Sequence, residues 1–584
     1  MPELLEPLRY TLRFPAPHSH YVDIEVIVPT GGKPVIELAM AVWTPGSYLV
    51  REYARHVEEV TAHTPDGVLL SVDKSRKNRW RLPTHDAGSL VVTYRVYCRE
   101  MSVRTNWVEE GFALLNGAPT FLTLAEEVAR PHDIQLVLPA TWHTAITSLP
   151  PAPGGAVHHY RASDFDTLVD SPILAGNPTV YPFTVDGIPH YLVHEGEGGI
   201  WDGPRSARDV ANIVRAHRQM WGFLPYDKYV FFNMITESGG GLEHKNSTIL
   251  MTSRWHARIA KDYLAWLALA SHEFFHVWNV KRLRPQELGP FDYENEVYTK
   301  NLWIAEGITS YYTELGVRRA GLCSNAEFLE RLSGLIERLQ ATPGRLVHAL
   351  EMASYDAWIK FYRHDENSAN TTISYYTKGA VVWFLLDAQI QVATGGRRSL
   401  DDLLRLAYSR YAGEQGFTRE EFRALAREVA GADLNAWFVS VLETTEELDY
   451  NQALEWFGLR FKPTPLSTPD KGWLGLVTRA ENGRLLVTQV QRQTPGWQYG
   501  FNVDDEILAL DDYRVLPQQW EARLAQYRPG DQATVLVARR EHLRRLAFTF
   551  GTEPNKHWQL EVHPEASAEQ RARFASWTAT TVHE

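Results

Sequence analysis

His272-Glu273-Phe274-Phe275-His276 lies in Lys261–Val280, a run of alanines, leucines and aromatics that predicts one long helix with no breaker before Pro285. On a helix, positions i and i+4 share a face, so His272 and His276 can reach one ion. Glu273 sits one step round, where it can take a proton from water. A five-residue pattern can arise by chance in a chain with 22 histidines. Its place in an apolar, core-type helix argues otherwise, because two unpaired imidazoles and a carboxylate would be costly to bury there.

A catalytic metal needs a third protein ligand and an open position. Glu306, in the helical-looking segment Leu302–Tyr312 (LWIAEGITSYY), is one candidate. Glu287, Glu294 and Glu296 are nearer in sequence but lie in a Pro/Gly-interrupted stretch. Two nitrogens and one carboxylate suit a single zinc ion, with cobalt or manganese able to substitute in vitro.

Working outward, residues 1–175 alternate with period two, as in Tyr21–Val28, Leu90–Cys98 and Asp133–Leu138, and predict an N-terminal β domain. Residues 176–455 mix both periods: a buried strand at Tyr229–Ile235, a glycine run, Thr248–Met251, then helices at Asn325–Gln340, Gly379–Ala393, Leu400–Tyr411 and Arg419–Val429. Phe461–Lys471 reads as a linker, 472–551 as a compact module of short strands, and 552–584 as a polar tail with room for one helix. The whole is expected to be multidomain α+β.

Composition bounds the function. The net charge is −12, from 59 basic and 71 acidic residues, so the basic footprint of a nucleic-acid binder is missing. Two cysteines, Cys98 and Cys323, cannot make a disulfide framework or a cysteine metal site. The start, MPELLEPLRYTLRF, lacks the basic and apolar runs of a signal peptide, and no stretch of the chain is apolar for long enough to span a membrane. A cytoplasmic protein without membrane partners is expected.

His272–Pro285 (HEFFHVWNVKRLRP) followed by Trp303–Tyr312 (WIAEGITSYY) resembles the M61 metallopeptidases of glycyl aminopeptidase type, relatives of the M1 aminopeptidases in the HExxH…E (gluzincin) clan. The resemblance covers most of the chain and extends to Trp43–Val57 (WTPGSYLVREYARHV), for which it supplies no chemical role. It implies a thermolysin-like catalytic domain with a helical extension, one zinc per chain, Glu306 as the third ligand, and peptides with a free N-terminus as substrates.

Two further segments take meaning from it. Within Ser238–His244 (SGGGLEH), Gly240–Glu243 resembles the exopeptidase motif of the M1 enzymes. That likeness implies that Glu243 binds the substrate α-amine and that the Gly239, Gly240 and Gly241 backbone runs along the substrate; His244 departs from the motif. Read from the residues alone, three glycines permit close backbone approach or form a plain turn. Ser374–Gly379 (SYYTKG) resembles the segment whose tyrosine bonds the developing oxyanion. Tyr376 aligns with it, with Tyr375 the neighbouring alternative.

Residues 472–551 resemble a PDZ domain, with Trp473–Leu476 as the carboxylate-binding loop. Such a groove would take a peptide C-terminus; the alternative is a β module that only braces the catalytic domain. The expected function is removal of a small N-terminal residue, glycine or alanine, by activated water with Glu273 as base. The competing readings are a zinc endopeptidase and a non-catalytic PDZ-bearing scaffold.

Overall fold

The computed structural model describes residues 5–127, 129–463, 471–554 and 558–580. Residues 464–470, most of the expected linker, and 1–4, 555–557 and 581–584 lie outside the described residues.

The alternation in the N-terminal region becomes pleated sheet. Tyr21–Pro29 and Ser89–Tyr97 pair antiparallel in a seven-stranded sheet, and their alternate residues are buried. One apolar cluster, from Leu8 to Ala175, fills the space between this sheet and two four-stranded ones. The loop Val42–Tyr48 departs from this β packing. Trp43 packs edge-on against Trp358 at 5.2 Å and donates from its indole to the Asp292 carbonyl at 2.8 Å. This loop therefore belongs to the core of the following region.

That region opens on a five-stranded sheet of β1 (Thr179–Val185), β2 (Ile188–Glu195), β3 (Tyr229–Ile235), β4 (Gly240–Glu243) and β5 (Ser247–Thr252), in the order β1-β2-β3-β5-β4. β3 is buried along its whole length, in keeping with its largely apolar run; its one polar residue, Asn233, accepts from the Trp266 indole at 2.9 Å. β4 is the edge strand, antiparallel to β5. One face of this sheet meets the N-terminal sheets across a seam that includes Val103, Phe112, Leu174, Val193, Leu242 and Met251. On the other side lie α1 (Gly203–Trp221), α2 (Ala260–Phe275), α3 (Ile308–Arg319), α4 (Asn325–Gln340) and α5 (Tyr375–Thr394).

Two helix expectations need correction. α2 ends at Phe275 and His276 is its C-cap, so the expected continuation to Val280 is a turn. The reason is local: the His276 and Trp278 carbonyls accept from Lys281 and Leu283 amides instead of continuing the ladder. Leu302–Tyr312 is not one α-helix either; Trp303–Gly307 is a π-helical turn leading into α3. Among the described residues no helix is long and apolar enough to cross a membrane.

The module after 471 has its own small core, Leu474 to Phe550, beneath a six-stranded sheet. The expected tail is more integrated than its polarity suggests. Leu560–Val562 pairs with Leu459–Phe461, and the helix Ala568–Trp577 buries Phe574 and Trp577 in the main core. The Trp577 indole donates to the Tyr311 hydroxyl at 2.8 Å.

Candidate metal centre

The end of α2 and the π turn converge. His276 Nε2 lies 3.2 Å from His272 Nε2 and 3.2 Å from Glu306 Oε2, and His272 Nε2 lies 3.5 Å from the same oxygen. The neighbours of the rings fix their tautomers. His276 Nδ1 faces the Asn279 carbonyl at 2.8 Å, which can only accept, so this nitrogen carries the proton. His272 Nδ1 faces Thr313 Oγ1 at 2.9 Å, and that hydroxyl already donates to the Thr309 carbonyl. Both Nε2 atoms thus turn lone pairs toward a carboxylate oxygen that has no hydrogen-bond partner.

Three acceptors facing one another call for a cation. Ligands about 2.0–2.1 Å from a tetrahedral ion stand about 3.3–3.4 Å apart, which matches the separations here, so the residues fit a divalent metal. The electrostatics agree. Burial would lower His276, but Glu306, Glu243 and Glu273 outweigh it and raise its affinity for a proton, the simplest cation that can serve. Burial would likewise raise Glu306, but the two imidazoles hold it ionised, below the ordinary range.

Asn279 ties the corner together. Its carbonyl orients His276, while its side-chain amide donates to the Ile304 and Ala305 carbonyls at 3.1 and 3.0 Å. A π turn leaves carbonyls unused, and Asn279 takes up two of them beside Glu306. The basic residues that follow brace the substrate side. Lys281 pairs with Asp170 at 2.6 Å, and Asp170 also meets His244 at 3.2 Å and the Lys245 amide at 2.7 Å. Although its burial acts the other way, Lys281 and His244 keep Asp170 far below the usual carboxylate range. His244, the residue that departs from the exopeptidase motif, is thus engaged behind the cleft.

A cleft of about 390 Å³ opens over these groups, lined among others by Gly46, Arg104, Gly241, Glu243, Glu273 and Tyr376. Glu243 and Glu273 are buried, and each has a carboxylate oxygen without a hydrogen-bond partner. Burial, and then Glu243 and Glu306 against the opposing His276, raise the Glu273 carboxyl well above its usual range. Glycine is required beside both carboxylates. A side chain on Gly241 would overlap Glu273, and one on Gly46, which has φ +85°, would overlap Glu243. Gly239 and Gly240 face open space, but Gly240 sits at φ +110°, so its backbone demands glycine while Gly241 is demanded by its contact with Glu273.

Tyr376 stands in the first turn of α5 with its ring 6.2 Å from that of His272. Tyr375 is fully buried against Phe361 and does not line the cleft. α5 approaches the π turn through glycine on glycine: a methyl on Gly307 or Gly379 would lie 2.7–2.8 Å from the other's backbone. The E-G and K-G pairs therefore mark the crossing that sets Tyr376 near Glu306.

Of the nine residues singled out for the site in the sequence, Gly241, Glu243, His272, Glu273, His276, Glu306 and Tyr376 line this cleft, while Gly239 and Gly240 lead into Gly241 without lining it. Sequence reasoning missed Asn279 and Thr313, which orient the imidazoles, and Gly46 and Arg104, which come from the N-terminal region. The W-T-P-G stretch was the available signal for Gly46; nothing in the sequence marked Arg104.

Known proteins can now be set beside this geometry. Residues 9–177 match the peptidase M61 N-terminal domain, and residues 265–382 match the M61 glycyl aminopeptidase domain. No curated protein sequence matches the chain. Among solved structures, an aminopeptidase N family protein from Idiomarina loihiensis superposes with a TM-score of 0.90 at 27% identity, covering 98% of this chain and 100% of its own.

Proposed function

Since the chain belongs to the M61 peptidase family, we propose that it is a zinc aminopeptidase that removes a small N-terminal residue, glycine or alanine, from peptides. The observation that carries this reading is the pairing of an all-acceptor metal corner with a second, buried, unpartnered carboxylate, Glu243, on the same cleft.

His272, His276 and Glu306 would hold the zinc. Bound there, zinc would supply Lewis-acid polarisation of the scissile carbonyl and of a water molecule. Glu273 takes the proton from the attacking water and passes it to the leaving amine. Glu243 receives the substrate ammonium, so a blocked N-terminus would leave its charge unpaired. Tyr376 donates its phenolic hydrogen to the developing oxyanion. The free edge of β4 offers backbone groups alongside which the substrate strand can pair, with Gly241 keeping its place clear for Glu273.

The module from 472 to 551 is read as PDZ-like. Its strand Leu476–Glu481 is the edge of the six-stranded sheet and runs beside the 3-10 turn Pro517–Gln519, an arrangement suited to adding a peptide C-terminus as an extra strand.

The test is hydrolysis of alanyl- and glycyl-p-nitroanilide before chelation, after chelation and after zinc is restored. Activity that disappears and returns is expected. Cleavage of N-acetylated peptides at a comparable rate would replace this reading with an endopeptidase.

A further inference from the structure

Of the two guanidinium groups on the cleft, one has no partner among the described residues. Arg104 lines the wall formed by the N-terminal region, and its charge is close enough to act on the Glu273 carboxyl. Yet its side chain makes no hydrogen bond or ion pair among the described residues, and its Nε is buried without a partner. Arg331, the other guanidinium on the cleft, differs: it is held in a two-pronged pair with Glu314.

The backbone beneath Arg104 is firmly fixed. The Tyr53 hydroxyl donates to its carbonyl at 3.0 Å, and its amide donates to Ser102 Oγ at 3.2 Å. Val103 next to it is fully buried in the seam between the two regions, packed with Leu242 and Met251 of β4 and β5. The guanidinium is thus presented by a rigid support, and Arg51 adds a second positive charge nearby.

A planar fork of donors with no internal acceptor, fixed in a cleft, is a receptor for a carboxylate. The opposite requirement stands on the same cleft in Glu243. A cleft of about 390 Å³ is near the small end of the range of about 300–1,000 Å³ typical of ligand pockets.

We infer that Arg104 binds the C-terminal carboxylate of short peptide substrates, making free di- or tripeptides the preferred class. The inference rests on the aminopeptidase reading given above. Glu243 takes one end of the zwitterion and Arg104 the other, so chain length is measured between them. The alternative is that Arg104 only offsets the charge of Glu273. That role would affect all substrates alike.

The experiment compares kcat/KM for Ala-Ala and Ala-Ala-Ala with that for their C-terminal amides, using the full-length zinc-loaded protein, Arg104→Gln and Arg104→Lys. Zinc content and thermal melting are measured alongside to establish that each variant is folded. For the parent, at least one length should favour the free acid by about tenfold or more, the size of one charge-assisted contact. Arg104→Gln should bring that ratio close to one through KM, and Arg104→Lys should restore part of it. An acid preference that survives Arg104→Gln overturns the inference and places the carboxylate elsewhere, as in the PDZ-like module. A parent ratio near one at both lengths overturns it too, and leaves the aminopeptidase reading standing. Failure of the zinc-loaded parent to cleave any of the four peptides overturns both.

Discussion

The metal corner and the wall facing it reach the same cleft by different routes. His272, Glu273, His276, Asn279 and Glu306 all come from residues 272–306, joined by one helix end, one turn and the hydrogen bonds of Asn279. Gly46 and Arg104 come from the N-terminal β region and are carried there by Trp43 in one core and Val103 in the seam. The corner is held by local hydrogen bonds, the wall by long-range apolar packing. Substitutions in the corner should therefore change metal and chemistry, while those in the wall should change how substrate is held.

The largest expected effect tests the corner. Glu273→Gln keeps the shape but cannot take a proton. kcat should fall by roughly 10²–10⁴-fold, the usual worth of a general base, with zinc content equal to that of the parent. Turnover close to the parent value would sink the assignment of Glu273 as base.

Asn279→Ala comes next. It leaves the backbone carbonyl that orients His276 but removes the amide that satisfies the π turn carrying Glu306. Zinc affinity, measured by competition with a chromogenic chelator, should weaken by roughly 10–100-fold. An unchanged affinity would mean that Glu306 is held by packing alone.

Gly46→Ala probes the wall. The new methyl meets the Glu243 carboxylate at a positive φ, so the acid must move or the loop must strain. kcat/KM for alanyl-p-nitroanilide should drop about tenfold, the scale of one displaced charge-assisted contact, while zinc content stays constant. Loss of zinc from this variant would erase the distinction between corner and wall.

That distinction also explains what the sequence could reveal. Period-two strands such as Tyr21–Pro29 and the largely apolar β3 could be read because each follows from its own pattern of side chains. The HExxH pair was likewise legible, since helix geometry alone puts two residues on one face. Glu306 was one of several acids until the resemblance singled it out, because its position depends on a π turn that no local pattern announces. The end of α2 was placed too late because the residues after Phe275 remain apolar; what stops the helix is the set of turn hydrogen bonds, not composition. Arg104 could not be found at all, because its meaning depends on which carboxylates lie across a cleft built from distant segments.

The seam itself supplies the smallest and most discriminating test. Glu195, at the end of β2, lies half-buried beside the seam, and burial first, then Glu109 from the N-terminal region, push its carboxyl up to about 7. The folded protein therefore binds this proton more tightly than the unfolded chain, whose glutamate keeps the ordinary value of about 4.5. The associated stability is fully present below about pH 4.5 and is lost as pH rises through 7. Removing the charge with Glu195→Gln should change the melting temperature little at pH 4.5 but raise it relative to the parent at pH 8. The gain should be on the order of 1–2 kcal/mol, since partial exposure screens the full effect of the shift. If the seam is what presents Arg104, the parent should also lose affinity for substrate between pH 7 and 8.5 more than Glu195→Gln does, with zinc content equal in both. A parallel pH dependence of KM in the two proteins would show that the wall stays in place without help from this edge of the seam.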